Sequence, residues 1–154
     1  MTFNVLVAEP DDQAWAMIAN SIKQYRADAD LLRVKDGEQA MRFLFYRGLF
    51  TEAPETPDLV VLARDLPTMS AQVVVARLRQ HPRTLNTPVI VSGHWRRRSD
   101  VEKAREYRQW VERQQWLIAV RAEDLARELT EAVRRLSAER VPIEIEDREA
   151  SSAI

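Results

Sequence analysis

Five short apolar runs recur along the chain, each followed by a segment whose apolar residues return at helical spacing. That alternation limits the fold more than any other feature of the sequence. The runs are FNVLVA at 3–8, LLRV at 31–34, LVVL within PDLVVLARDLPTM at 57–69, TPVIVSG at 87–93 and QWLIAV at 115–120. They read as near-continuous apolar stretches, so both faces of each strand need cover. Strands of this kind, interleaved with helices, imply a parallel sheet with a helical layer on either side. The expected class is α/β, doubly wound, with five parallel strands and helices on both faces.

The intervening segments supply the helices. Asp11 or Asp12 caps the first, in which Trp15, Ile18, Ile22 and Tyr25 share a face. Asp36-Gly37 opens a second that presents Met41, Leu44 and Phe45 until Gly48 ends it. The proline-bearing loop TEAPETP at 51–57 leads into the third strand. After Pro67 comes a helix carrying Val73, Val74 and Leu78. A charged helix of about 15 residues follows from Ser99, and a last one spans 122–140 with Leu125, Leu129, Val133 and Leu136 on one face. Residues 1–140 thus form one expected domain. The remainder, VPIEIEDREASSAI at 141–154, stands apart, with Val141, Ile143 and Ile145 at a strand-like period. It is either a frayed tail or an arm that adds to a sheet edge or a partner. Because the chain ends soon after the fifth helix, no output domain is expected.

Composition narrows the class of partner. The chain has 154 residues, 45% apolar and 31% charged, which suits one soluble domain with a sizeable core. A net charge of −1 gives no global attraction to nucleic acid or an acidic membrane. The sequence has no cysteine, which excludes disulfides, thiolate catalysis and cysteine-ligated metal. The opening MTFNVLVAEPDD lacks the basic start and long apolar run of a signal peptide, and no stretch is long enough to cross a bilayer. A cytoplasmic setting is expected.

In a doubly wound sheet, function gathers at the carboxyl ends of the strands. The residues there are Glu9 to Asp12, Ala63 to Asp65, Ser92 to His94 and Ala119 to Arg121. In order and separation, VLVAEPDDQ, VKDGEQAMRFLFYRG, PDLVVLARDLPTMS and TPVIVSGH resemble the receiver domain of response regulators in bacterial two-component signalling. Among these the chain most resembles the stand-alone, phytochrome-associated kind. The resemblance covers residues 3 to about 137 and implies the flavodoxin-like receiver fold. It also implies a site in which an acidic pair after the first strand and an aspartate after the third hold Mg²⁺. That aspartate takes a phosphoryl group from a partner histidine kinase. A Ser or Thr after the fourth strand and a Lys after the fifth then respond to the phosphoryl oxygens.

This chain departs from that pattern at nearly every position. Ala63 stands in the phosphoacceptor place, its register given by Pro67 four residues on. Glu9 keeps one acid of the pair, Pro10 replaces its neighbour, and Asp11 follows. With Asp65, these acids form a vestigial pocket from which weak affinity for Mg²⁺ is expected; no cofactor is implied. No lysine follows Lys103, and Ala119 and Val120 occupy the Lys-Pro place. The nearest cation, Arg121, is expected at the start of the last helix. Ser92 is the candidate switch hydroxyl, although a count from Pro88 puts Gly93 there.

Other residues weigh less. Asp65 lies two residues past Ala63 and reads as a solvated turn carboxylate. His81 and His94 are the only histidines, and their spacing does not suit a metal site. The segment HWRRRSDVEKAREYRQWVERQQW at 94–116 is richer in function. Its Trp95, Trp110 and Trp116, with Arg96, Arg97 and Arg98, are residue types that dominate binding hot spots. Asp100, Glu102, Glu106 and Glu112 interleave with the cations and argue against a nucleic-acid surface.

The expectation is a pseudo-receiver without enzymatic activity. It would act by phosphorylation-independent contact with a signalling kinase or downstream protein, and as a homodimer through the fourth helix, fifth strand and fifth helix. Two alternatives stand beside it: a regulator phosphorylated at Asp65 or Asp11, and a ligand- or nucleic-acid-binding regulator.

Overall fold

A computed structural model of the chain describes residues 3–46, 56–93, 101–121 and 124–140. Strands β1 (Phe3–Ala8), β2 (Ala29–Val34), β3 (Leu59–Ala63), β4 (Val89–Gly93) and β5 (Leu117–Arg121) alternate with helices. The helices are α1 (Asp12–Tyr25), α2 (Gly37–Met41), α3 (Ala71–Leu78), α4 (Val101–Glu112) and α5 (Leu125–Arg140), and α2 runs on into a π-helical turn at Arg42–Tyr46. The strands form one parallel sheet in the order β2-β1-β3-β4-β5. The doubly wound α/β architecture expected from the sequence is the one observed.

Alternating side chains of the strands feed two cores, as a period of two requires. Val60, Leu62, Val89 and Val91 face one layer with Met41, Leu44, Val74, Val75, Leu78 and Val111. Val5, Val7, Val61 and Ile90 face the other with Ile18, Ile22, Leu125, Leu129 and Val133. The middle strands β1, β3 and β4 are almost wholly enclosed, which explains their unbroken apolar runs.

Several boundaries differ from the sequence reading, each for a local reason. The second strand starts at Ala29 and not at 31, because Ala29 and Asp30 pair with Phe3 and Asn4 despite their low apolar content. The fourth begins at Val89, after Thr87 and Pro88. The fifth begins at Leu117, since Trp116 has a φ of 61°, a left-handed conformation that no strand accommodates. It ends at Arg121, which is therefore the last strand residue and not the first of the helix. On α3, Val73 is 42% exposed, while Val74 and Leu78 are enclosed. Gly48, residues 94–100 and the segment 141–154 lie outside the described residues.

The helix starts are fixed by side-chain caps. Asp11 accepts from the Ala14 N–H at 2.8 Å, Asp36 from the Gln39 N–H at 2.8 Å, and Ser70 from the Val73 N–H at 3.3 Å. At the amino pole of the sheet, Arg79 binds two loops together. Its guanidinium donates to the carbonyls of Thr84, Leu85 and Thr87, at 3.3, 3.2 and 2.8 Å, and to those of Gln115 and Trp116, at 3.0 and 3.4 Å.

Candidate functional site: the carboxyl edge of the sheet

The order of the strands places its topological switch at β1 and β3, where the chain leaves the sheet toward opposite layers. Glu9 and Ala63 end these two strands. Ala8 pairs with Leu62, so Glu9 and Ala63 lie one step further on. Ala63 pairs with Ser92, and Ser92 with Val120. Glu9, Ala63, Ser92 and Val120 thus form one row across the carboxyl edge. The register sets Ser92, and not Gly93, level with Ala63, and it places Val120, 1% exposed, level with Ser92 on β5.

Within this row Ala63 contributes only a methyl group, packed into the core layer with Leu66 and Val91. A methyl group offers no nucleophile and no ligand. The turn beyond it is nevertheless held firmly. The Gly37 N–H donates to the Pro67 carbonyl at 3.2 Å, and the Glu38 N–H to the Thr68 Oγ1 at 3.2 Å. Thr68 itself sits at a φ of 65°.

The acids that remain are engaged separately. Glu9 is buried and its Oε2 accepts from the Asp11 N–H at 3.0 Å. Asp11 is exposed and caps α1. Arg33 fastens the same loop from β2, donating to the carbonyls of Glu9 and Pro10 at 3.1 and 3.3 Å and pairing with Asp12 at 2.8 Å. The hydrogen bond and charge of Arg33, aided by Lys35, hold the Asp12 carboxyl below the usual aspartate range. Asp65 points outward and is forked by the neighbouring Arg64, whose Nη2 lies 2.9 Å from it.

Those residues do not fit a resident divalent cation of the kind the family resemblance implies. Octahedral oxygen coordination needs converging carboxylates, and among the described residues no three acids or histidines converge on a point. Glu9, Asp11 and Asp65 each serve a different local contact, and Ala63 leaves the centre of the group apolar.

Two residues that the sequence did not single out shape this edge. Arg64 lies along it with its side chain only 15% exposed, and its N–H donates to the Ser92 carbonyl at 2.7 Å. Across from it, Tyr107 of α4 is half-buried and packs edge-on against Trp110, with ring centroids 5.1 Å apart. Burial raises the Tyr107 hydroxyl pKa above the ordinary tyrosine value; the charge of Arg64 opposes that shift and the charge of Asp65 adds to it. The faint signal for Arg64 is the glycine after Ser92, in a chain with only three glycines.

The predicted interface residues divide. Trp110 is half-buried and packs against the α3–α4 core layer. Trp116 lies at the amino pole, where its carbonyl accepts from the Val89 N–H at 2.7 Å and from Arg79. Trp95, Arg96, Arg97, Arg98 and His94 fall outside the described residues. His81 lies in the turn after α3 and stacks at a tilt on Phe45, with centroids 5.5 Å apart. A groove of about 460 Å³ runs between α4, β5 and α5, floored by Val111, Leu117, Ile118 and Ala119 and edged by Arg108, Arg135, Glu112 and Glu128. Among the described residues no helix is long and apolar enough to cross a membrane.

Comparison with known proteins agrees with this fold. No family model matches the chain. A curated relative, the response regulator Rcp1 of Synechocystis, is 29% identical over 87 residues. The match covers 56% of this chain and 58% of Rcp1, so the chain spans little more than half the length of that relative. Among solved structures, the phosphorylated cyanobacterial phytochrome response regulator RcpA superposes with a TM-score of 0.65 at 18% identity, over 85% of this chain and 91% of its own. The Mn²⁺-bound form of Rcp1 gives 0.62 at 23% identity, over 83% and 89%. A response regulator in red light signalling of R. palustris gives 0.63 at 24%, over 90% and 93%. In fold and in sequence this chain is similar to response-regulator receiver domains, phytochrome-associated ones included.

Proposed function

We propose that this chain, which has the receiver fold and a response regulator as sequence relative, is a phosphorylation-independent signalling module of a two-component-type pathway. It works by binding other proteins and is not an enzyme. The observation that carries this reading is the row Glu9, Ala63, Ser92 and Val120 across the carboxyl edge. Phosphoryl transfer to a side chain needs a nucleophile and cations to offset the moving charge. The central position of this row holds a methyl group, and the position level with Ser92 on β5 holds an enclosed valine. The other carboxylates nearby are engaged in a cap and an ion pair, which favours neither Asp11 nor Asp65 as a substitute acceptor.

The partner is a protein, either a signalling kinase or a downstream component, met in the cytoplasm. Its contact surface includes the groove between α4, β5 and α5, together with Trp110 and the segment from Trp95 to Arg98. A homodimer through the same face fits the mixture of cations and acids along the groove, because in a self-complementary interface the cations of one copy can meet the acids of the other away from the two-fold axis. Nucleic acid is disfavoured by the net charge of −1.

Incubation of the whole chain with radiolabelled acetyl phosphate and Mg²⁺ tests the reading directly. No protein-bound label is expected, while aspartyl-phosphate on Asp11 or Asp65 would overturn it. Co-purification from the native cell, repeated with Trp110→Ala, is expected to recover a signalling protein with the native chain and lose it with the variant.

A further inference from the structure

The carboxyl edge lacks the acceptor, yet it holds a cation that belongs to the chain itself. Arg64 follows Ala63 directly, and its backbone is tied across to β4 through the Ser92 carbonyl. Its side chain lies flat over Gly93. A Cβ built on Gly93 would stand 2.9 Å from the Arg64 Cβ, 3.2 Å from Cδ and 3.4 Å from Nε. Any side chain at 93 would therefore lift the arginine from its seat. The guanidinium is then fixed by the fork on Asp65, through Nε and Nη2. The exposures of the two partners show which one serves the edge: the arginine side chain is 15% exposed and the aspartate 78%. An enclosed guanidinium needs its charge matched and its donors satisfied. Asp65 supplies that match from the surface and leaves the cation on the inside.

We propose that Arg64 is the resident cation of this edge: seated on Gly93 and forked by Asp65, it closes the crevice to any external divalent cation. The inference deepens the functional reading above, on which it rests for the loss of the acceptor. A fixed positive charge repels a second one brought within a few ångströms. The same charge reaches α4, since Tyr107 lies within the electrostatic range of both Arg64 and Asp65.

The test restores an acid and then removes the arginine, with Mn²⁺ alone as probe, by calorimetry and by paramagnetic broadening in NMR. Ala63→Asp is expected to bind Mn²⁺ weakly, and Ala63→Asp with Arg64→Met at least about tenfold more tightly. Equal affinities in the two variants would overturn the proposal. Since a carboxylate placed at 63 is costly to bury, a second measurement needs no such change. Arg64→Met alone and Gly93→Ala alone are each expected to lower amide-exchange protection at positions 92 and 93 by about tenfold. Native protection in both would equally defeat it. Phosphoryl label on the native chain would remove the functional reading while leaving the Mn²⁺ ratio between the two variants as it stands, so the two failures are distinguishable.

Discussion

Gly37 shows how closely a single atom's absence governs this edge. A Cβ there would lie 2.1 Å from the Met69 carbonyl oxygen and 2.7 Å from the Met69 Cβ. The opposing oxygen is main chain and cannot swing aside, so Gly37→Ala must push α2 away from the turn after β3. A destabilisation of about 1–3 kcal/mol is expected, as for overpacking elsewhere, read as a lower urea midpoint at unchanged slope. Asp12 yields a pH prediction. Its folded pKa is depressed by Arg33 from an ordinary 3.8, so its contribution is present above that value and is lost as pH falls through the depressed one. Arg33→Met is expected to return the Asp12 titration, followed by carboxyl NMR, toward the ordinary value and to remove that share of acid sensitivity. At this scale Ala63 was legible, because Pro67 supplies the register within a single stretch of chain. Ser92 was legible only as one of two choices, since pairing with β3 decides between it and Gly93. The role of Arg64 was not legible: its meaning depends on a glycine 29 positions away, brought beneath it by the sheet.

Among the elements, strands buried on both faces announced themselves, and edge details did not. β2 gains Ala29 and Asp30 through pairing with β1, a tertiary effect that overrides their weak strand preference. The π-helical turn at Arg42–Tyr46 leaves no pattern in the sequence distinct from a continuing helix. The start of β5 depends on the left-handed Trp116, and that conformation is held from outside by Arg79. Burial lowers the pKa of Arg79, and the same burial makes its donors to five carbonyls costly to lose. Arg79→Met keeps the apolar stem but strips those donors. The expected cost is about 1–3 kcal/mol or somewhat more, given several charge-assisted bonds. The loss should be local: exchange protection should fall first at Val89 and Leu117, where the two loops meet the sheet, and least in β1. A uniform loss across the sheet would mean that Arg79 supports the fold as a whole and not this junction.

For the molecule as a whole, the carboxyl edge and the groove between α4, β5 and α5 offer different surfaces for the proposed protein contact. The carboxyl edge, where receiver folds do their chemistry, is here filled by a methyl group and an arginine held by its own aspartate. The groove between α4, β5 and α5 is a concavity of about 460 Å³, with an apolar floor and charges of both signs at its rim. Ala119 lies on that floor and is only partly buried, so a long cation placed there projects into the groove without breaking the core. Ala119→Arg brings two like charges together across a two-fold axis, a juxtaposition worth several kcal/mol against association. If the homodimer uses this face, the variant should sediment as a monomer at concentrations where the native chain is dimeric, with association weakened by at least about tenfold. Leu32→Arg serves as the matched control. Leu32 is 39% exposed on β2, at the far end of the strand order from β5, so the same charge added there should leave the dimer mass unchanged. A monomer from both variants would point to a general charge effect, and a dimer from both would move the interface away from β5. Only loss confined to Ala119→Arg assigns self-association to this face, and the partner should then be sought in competition with it.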